Sequence, residues 1–398
     1  MDKNRITVAD VLRKGLGEYE KQYGVLSCHN RSVVNAILNC RTAALGSHLF
    51  RCPSCDDELL LHHSCRNRHC PTCQHLSQAQ WIEDRMSEVL PVQYFHVVFT
   101  LPDQLNDFMV RNKEICYTML FAAAAQTLLT LGADKKWLGA DIGALTVLHT
   151  WGQRLDIHPH LHCIVPGGGI CDEGTRFKYA PEDFFVPFKV LASLFRGKFM
   201  DSFKQALADG EVQLHGVLQE FRDNSLALHA LLDKLYKKDW VVFVQESFAS
   251  PQAVIKYLGQ YTHRIAISNK RIKALDDTSV TFSYKDYADK GVTKEMTLSI
   301  VEFIRRFLQH VLPPHFVRIR YYGLLTNRNR TRSIARCWEL LGQRWEKTEK
   351  TPLAWFERCR KLTGKDPRLC RRCGTAIMAL IAIIGRSKLT PMLVASTA

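Results

Sequence analysis

The stretch HPHLHCIV, residues 158–165, sets three histidines at every second position of an apolar, strand-like run. Side chains alternate faces along a β-strand, so His158, His160 and His162 project from one side of it. Neutral imidazole is the commonest nitrogen ligand for metal ions, and this spacing aims two or three rings at one ion. A histidine-rich sheet surface or a hydrogen-bonded core pair would account for a single histidine. Three in register favour a metal site.

Working outward, ALTVLHTW (144–151) and IHPHLHCIVP (157–166) read as paired strands, with Gly167, Gly168 and Gly169 marking the turn after them. QYFHVVFTLP (93–102) is β-branched and aromatic and reads as a buried strand ended by Pro102. Helical periodicity covers 76–90, 103–131, 185–208 and 225–237, and WVVFVQE is a further strand. SPQAVIKYLGQYTHR starts a helix with Ser250 as N-cap and Pro251 at the first helical position. Short strands follow at 271–300, then a helix at 301–311 and a basic strand, HFVRIRYYG. Strands and helices mix without a βαβ repeat, which predicts an α+β fold.

The chain has 398 residues, enough for two or three domains. Its hydrophobic content of 46% and charged content of 23% suit a folded protein. The formal charge of +15 points to a polyanionic partner, nucleic acid before acidic membrane. The N-terminus lacks an apolar signal core and reads as an amphipathic helix. The longest apolar stretches, MLFAAAAQTLLTLG and IMALIAIIG, are shorter than a membrane span requires. An intracellular, cytoplasmic protein is expected, in which 14 cysteines have a role other than disulfides.

Their spacing supplies the role. Cys52-Pro-Ser-Cys55 and Cys70-Pro-Thr-Cys73 are two CPxC knuckles, a zinc-ribbon signature in which each knuckle offers two thiolates to one tetrahedral ion. One structural zinc on Cys52, Cys55, Cys70 and Cys73 is the expectation. Cys40, His48, Cys65 and His69 remain candidates for a second zinc or a substituted ligand. Arg51, Arg66, Arg68 and His69 form a basic collar suited to phosphate. Cys370 and Cys373 are half a knuckle whose only evident partners, Cys337 and Cys359, are irregularly spaced. Cys28, Cys116, Cys163 and Cys171 read as small buried residues.

On the helix after Ser250, Tyr257 and Tyr261 lie four apart and share a face. By pattern alone Tyr261 belongs to the apolar stripe of Val254, Ile255 and Leu258. A tyrosine hydroxyl, with a pKa near 10, attacks a phosphodiester usefully only where a divalent metal polarises the phosphate. Farther on, Arg318, Arg320, Arg328, Arg330 and Arg332 sit beside Tyr321 and Tyr322, a mix of cations and aromatics suited to a DNA backbone groove.

The order FTLP (99–102), the HPHLH strand and a YxxxY helix resembles the HUH endonucleases. Together with SCRNRHCPTCQ, HTWGQRLDIHPHLHCIVPGGG, YLGQYTHRIAISN and LPPHFVRIRYYGLLTNR, it is similar to the two-tyrosine HUH rolling-circle transposases of bacterial insertion sequences, over about residues 28–345. The resemblance implies an antiparallel sheet with flanking helices behind a small zinc-ribbon-like module. It divides the chain into 1–90 (zinc module), 91–312 (catalytic domain) and 313–398 (basic C-terminal region). It places the metal on His160 and His162, with His158 first and Gln153 second as third ligand, and the nucleophiles on Tyr257 and Tyr261. Magnesium or manganese is the working ion, and zinc is structural. The substrate is single-stranded DNA at element ends and target, cut and joined through 5′-phosphotyrosine links. His263 and Arg264 are placed to orient the phosphate. No GxxxxGK[ST] motor loop is present. The alternatives are a plasmid replication initiator or relaxase using the same chemistry, and a zinc-dependent DNA-binding protein without chemistry.

Overall fold

The computed structural model describes residues 5–182, 184, 186–245, 253, 259, 266–345 and 353–386. The chain forms two compact units, one of residues 1–81, 263–311 and 349–398, the other of 82–262 and 312–348. The expected division into 1–90, 91–312 and 313–398 is sequential; here 263–311 and the chain end group with the N-terminal part. In chain order the first described strands are β1 (Ser47–Arg51), β2 (Glu58–His62), β3 (Tyr94–Thr100), β4 (Gly143–Trp151), β5 (Ile157–Pro166) and β6 (Gly168–Cys171). They continue with β7 (Arg176–Tyr179), β8 (Val242–Gln245), β9 (Ile272–Leu275), β10 (Ser279–Asp286), β11 (Val292–Ser299), β12 (Ile319–Gly323) and β13 (Ala379–Ile384).

The second unit is built on a five-stranded sheet in the order β12-β4-β5-β3-β8. All its pairings are antiparallel. Period-two alternation decides its two faces. Phe95, Val97 and Phe99 of β3, Ala144 and Leu148 of β4, and Leu161, Cys163 and Val165 of β5 all enter one core. There they meet helices Lys113–Ala133 and Phe188–Ala208 through Tyr117, Phe121, Phe195, Phe199 and Phe203. The alternate residues of β3, β4 and β5, including His96, His149, His158, His160 and His162, take the opposite face.

The segment MLFAAAAQTLLTLG lies inside helix Lys113–Ala133, which by length and composition alone could cross a membrane. The stretch 103–131 read as helical is thus divided, with shorter helical elements at Asp103–Leu105 and Asn106–Arg111 ahead of that helix. Twelve of its residues are buried, and its place in the core explains that composition. Close approach also fixes one glycine of the triple-glycine turn: a Cβ on Gly169 would lie 2.1 Å from the Asp141 carbonyl oxygen.

The first unit contains the predicted N-terminal helix, Val8–Tyr23, closed by a Thr7–Asp10 capping box. Gly15 lets it approach helix Ile300–Gln309 so closely that a Cβ there would stand 2.1 Å from Ile300 Cγ2. That second helix buries Ile300, Phe303, Ile304, Phe307 and Leu308 on one side, the apolar stripe of an amphipathic helix. β9, β10 and β11 form one antiparallel sheet, and β13, β1 and β2 another. The apolar run IMALIAIIG thus supplies an edge strand, β13, to the sheet of the cysteine-rich module. The whole is an α+β fold of antiparallel sheets with flanking helices and an N-terminal cysteine cluster compatible with a zinc module.

Candidate active site

Three imidazoles converge on the histidine face of the second unit. His149, His160 and His162 each place a ring nitrogen within 4.8 Å of the others. His160 and His162 come from β5, as alternation requires, and His149 faces His160 directly across the β4–β5 ladder. His158, the expected third member, is exposed on the strand's outer end and is not in the group, although its ring lies 4.9 Å from that of His160. The ring nitrogens that group with those of His160 and His162 are thus those of His149, where His158 was the expected partner. β4 carries His149 past the point where β5 is still burying side chains, whereas His158 precedes it.

Hydrogen bonds indicate which nitrogen of His160 and of His162 carries the proton. His160 Nδ1–H donates to the His158 carbonyl at 2.7 Å, leaving Nε2 with its lone pair. His96, from β3, donates Nδ1–H to Gln245 Oε1 at 3.2 Å, so its Nε2 accepts from His162 Nδ1–H at 2.7 Å. His162 Nε2 is thereby also a lone-pair donor. The two Nε2 atoms stand 3.1 Å apart. Two metal–nitrogen bonds of about 2.1 Å at right angles would hold their nitrogens about 3 Å apart.

Electrostatics keep the rings neutral. Burial pushes His160 down to about 3, with repulsion from His158 adding to it. Burial, then repulsion from His149 and His160, drives His162 well below its ordinary value. Burial also lowers His96, against the opposing bond to Gln245. His149 is 3% exposed and His162 9%, so both rings sit in a desolvated setting. Three imidazole nitrogens match the donor preference of ions such as zinc, iron or nickel better than that of magnesium or manganese, which favour oxygen.

Tyr257, Tyr261, His263 and Arg264 lie outside the described residues; Ala253 and Gly259 of the same stretch are helical. Gln153 is described but is not in the histidine group.

The cysteines do not gather as expected. Cys52, Cys55, Cys70 and Cys73 split between two groups of four: Cys40, Cys65, Cys70 and Cys73, and Cys52, Cys55, Cys370 and Cys373. The correction has a geometric cause. The first knuckle sits in the β1–β2 turn, while the second ends a loop that folds back on Cys40 at the end of helix Cys28–Asn39. In the first group Cys65 Sγ and Cys73 Sγ are 3.7 Å apart, and the Asn67 amide donates to Cys65 Sγ at 3.4 Å. Hydrogen bonding within this group pulls Cys73 down to about 7 and pushes Cys70 up: four adjoining thiols cannot all ionise unless a cation joins them. His48 and His69 are not in either group. Of the small-residue cysteines, Cys116, Cys163 and Cys171 are buried, whereas Cys28 is exposed.

The basic segment running through β12 divides in two. Arg318 is 7% exposed, which removes it from any surface contact. Arg320 lies over its own Phe121, 4.3 Å from the ring centre, and Arg330 lies 4.7 Å over Tyr321. Arg85 donates to the Tyr321 hydroxyl at 2.9 Å. Arg328 and Arg332 are exposed. Arg51 of the expected collar pairs with Glu58 at 2.6 Å.

Comparison with known proteins agrees with this layout. Residues 143–333 match the family described as “Putative transposase”, and residues 11–101 match the “Transposase zinc-binding domain”. The first match contains all three converging histidines; the second contains six of the eight grouped cysteines. A Sinorhizobium fredii protein described as “Putative transposase y4qJ” is 46% identical over 378 residues, covering 94% of this chain and 95% of the relative. The transposase for insertion sequence element IS801 of Pseudomonas savastanoi pv. phaseolicola is 27% identical over 364 residues, covering 88% of this chain and 83% of the relative. No solved structure matches the chain.

Proposed function

Because the chain belongs to the family of insertion-sequence transposases that pairs a transposase zinc-binding domain with this “Putative transposase” domain, we propose that it cuts and joins single-stranded DNA by two-tyrosine HUH chemistry. The observation that carries the reading is the histidine group on β4 and β5, with two Nε2 lone pairs set by hydrogen bonds to face one point. A divalent cation held by His149, His160 and His162 would supply Lewis-acid polarisation of a scissile phosphodiester.

The chain's own residues do the rest. Tyr257 or Tyr261 attacks phosphorus through Oη, and the bond from phosphorus to the 3′-oxygen breaks as the new bond forms. The phenol proton passes to solvent, and the departing oxygen takes up a proton to become a free 3′-OH. The DNA stays attached as a 5′-phosphotyrosine, so the bond's energy is kept and no nucleotide triphosphate is needed. Attack by a 3′-OH on that link restores the tyrosine and joins the strand. Two tyrosines allow two such exchanges, one for the element end and one for the target, which a rolling-circle route requires. The exposed Arg328 and Arg332 are suited to holding the DNA backbone.

The test uses labelled single-stranded element ends and full-length protein with manganese. Tyr257→Phe and Tyr261→Phe each stop complete transposition, while at least one still nicks; the double variant forms no covalent adduct. An adduct formed by the double variant refutes the assignment of the nucleophiles.

A further inference from the structure

The zinc-binding family match ends at residue 101 and leaves Cys370 and Cys373 unassigned. We propose that Cys52, Cys55, Cys370 and Cys373 hold a second structural zinc ion, one that clasps the C-terminal segment to the N-terminal module. This goes beyond the catalytic reading and does not depend on it.

Distances separate a metal site from the alternatives. Cys52 Sγ lies 3.7 Å from Cys373 Sγ, and Cys55 Sγ lies 3.6 Å from Cys370 Sγ. A tetrahedron with zinc–sulfur bonds of about 2.3 Å has edges of about 3.8 Å, whereas a disulfide bond is about 2.0 Å long. The spacing is that of ligands around an ion.

The two pairs are also carried on matching turns. Cys52 and Cys370 each begin a CxxC knuckle. The carbonyl of Cys52 accepts from the Asp56 amide at 3.0 Å, and that of Cys370 accepts from the Gly374 amide at 2.9 Å, four residues on in both cases. Asp56 has φ of 56° and Gly374 of 74°, so both knuckles close through a left-handed residue at the same position. The amide of Cys52 donates to the Asp57 carbonyl, and that of Cys370 to the Ala376 carbonyl, each at 2.9 Å. The Arg372 amide donates to Cys370 Sγ at 3.4 Å, the bond that Asn67 makes to Cys65 in the first group. Such an amide–sulfur contact stabilises a thiolate rather than a thiol. Two independent segments 315 residues apart have taken one ligand-presenting conformation.

The surroundings need the ion. The apolar cluster here comprises Cys52, Cys370 and Met378, with Phe50, Leu59 and Ala376 only partly buried against it. A core that small does not hold a chain end by itself, and a tetrathiolate zinc commonly supplies the missing folding energy. β13 is paired with β1 beside the knuckles, so the ion and the ladder secure the same segment. A protein lacking residues 370–373 retains only two of the four thiolates, and the module closes only when the C-terminal segment is present.

Thiolate-bound zinc is counted on full-length protein, purified in reductant and washed with EDTA, by release with p-hydroxymercuriphenylsulfonate into a chromogenic chelator. The unaltered protein releases two equivalents. C52S/C55S and C370S/C373S each release one, and the variant carrying all four substitutions also releases one, because both pairs serve the same ion. Two equivalents from C370S/C373S, or loss of both equivalents in the four-substitution variant, overturns the assignment. Cadmium NMR of the unaltered protein provides a reading independent of any variant's folding: two tetrathiolate resonances are expected, and one overturns the proposal.

Discussion

His96 touches none of the reacting groups, yet the hydrogen bonds give it control of His162. Its Nε2 receives the His162 Nδ1 proton at 2.7 Å, its Nδ1–H is tied to Gln245, and it is 2% exposed, with no room to turn. The two rings lie edge to edge, coplanar to within 9° with centres 5.0 Å apart, and His96→Phe keeps an aromatic ring there while removing both hydrogen bonds. His162 Nδ1–H then loses its acceptor, at a cost of about 1–3 kcal/mol for a buried donor. Outer partners of metal-bound histidines are worth about 10–100-fold in affinity, or about 1.4–2.7 kcal/mol, which is the same range. The expected result is a manganese Kd raised by that factor, with the nicking rate at saturating manganese reduced far less. His96→Gln offers an acceptor again and should restore most of the affinity. Manganese binding is read by electron paramagnetic resonance titration of the full-length protein, with thermal melting as the folding control. If His96→Phe folds normally and binds manganese within about twofold of the unaltered protein, the orienting role is wrong.

The remaining predictions concern the ligands, the backbone and acid. His149→Ala should abolish detectable manganese binding while His158→Ala leaves it nearly unchanged, and the reverse order in the same titration would restore the ligand set expected from alternation alone. Gly323→Ala places a Cβ 2.0 Å from the Ile142 carbonyl oxygen at a φ of 57°, and should cost at least about 2 kcal/mol in urea unfolding. An unshifted midpoint would show that β12 can move aside. Glu302 is held down to about 2 by hydrogen bonds from Arg305 and then Arg306. A carboxylate whose folded pKa is depressed stabilises the fold above its ordinary value of 4.5 and loses that contribution as pH falls toward 2. With these side chains about 23–33% exposed, the effect is about 1 kcal/mol after screening. Glu302→Gln should lessen the drop in stability between neutral and acid pH by that amount, and equal drops in both proteins would count against the ion pair.

What the sequence disclosed followed from local periodicity. β5 spans 157–166, the bounds read from its alternation, because one face is core and the other histidine and neither tolerates exchange. Helix Ser225–Lys237 was likewise legible from its stripe. His149 was not, since a lone histidine in the apolar run ALTVLHTW carries no signal until the ladder sets it opposite His160. The cysteine grouping failed for the same reason at longer range. Two CPxC pairs 15 residues or so apart satisfy one tetrahedron on paper, and nothing local says that Cys52 and Cys55 are already committed to a knuckle at the far end of the chain. The arginine–aromatic mixture after residue 315 is less legible: Arg320 and Arg330 lie over Phe121 and Tyr321 of the same chain, and interleaving in sequence does not distinguish that from stacking on bases.

These successes and failures have one physical root in the sheet. Leu161, Cys163 and Val165 anchor β5 in the core, and the same register therefore fixes His160 and His162 on the other face. A slip of one residue would bury imidazoles among phenylalanines and expose leucine and valine, so the hydrophobic side enforces the ligand side. Neighbouring strands extend the constraint: β3 brings His96 behind His162, and β4 brings His149 against His160, each under its own buried Phe or Leu. The site is thus positioned by apolar burial on the face it does not occupy. That arrangement gathers three ring nitrogens within 4.8 Å of one another without any cation to organise them, at a cost borne by the core.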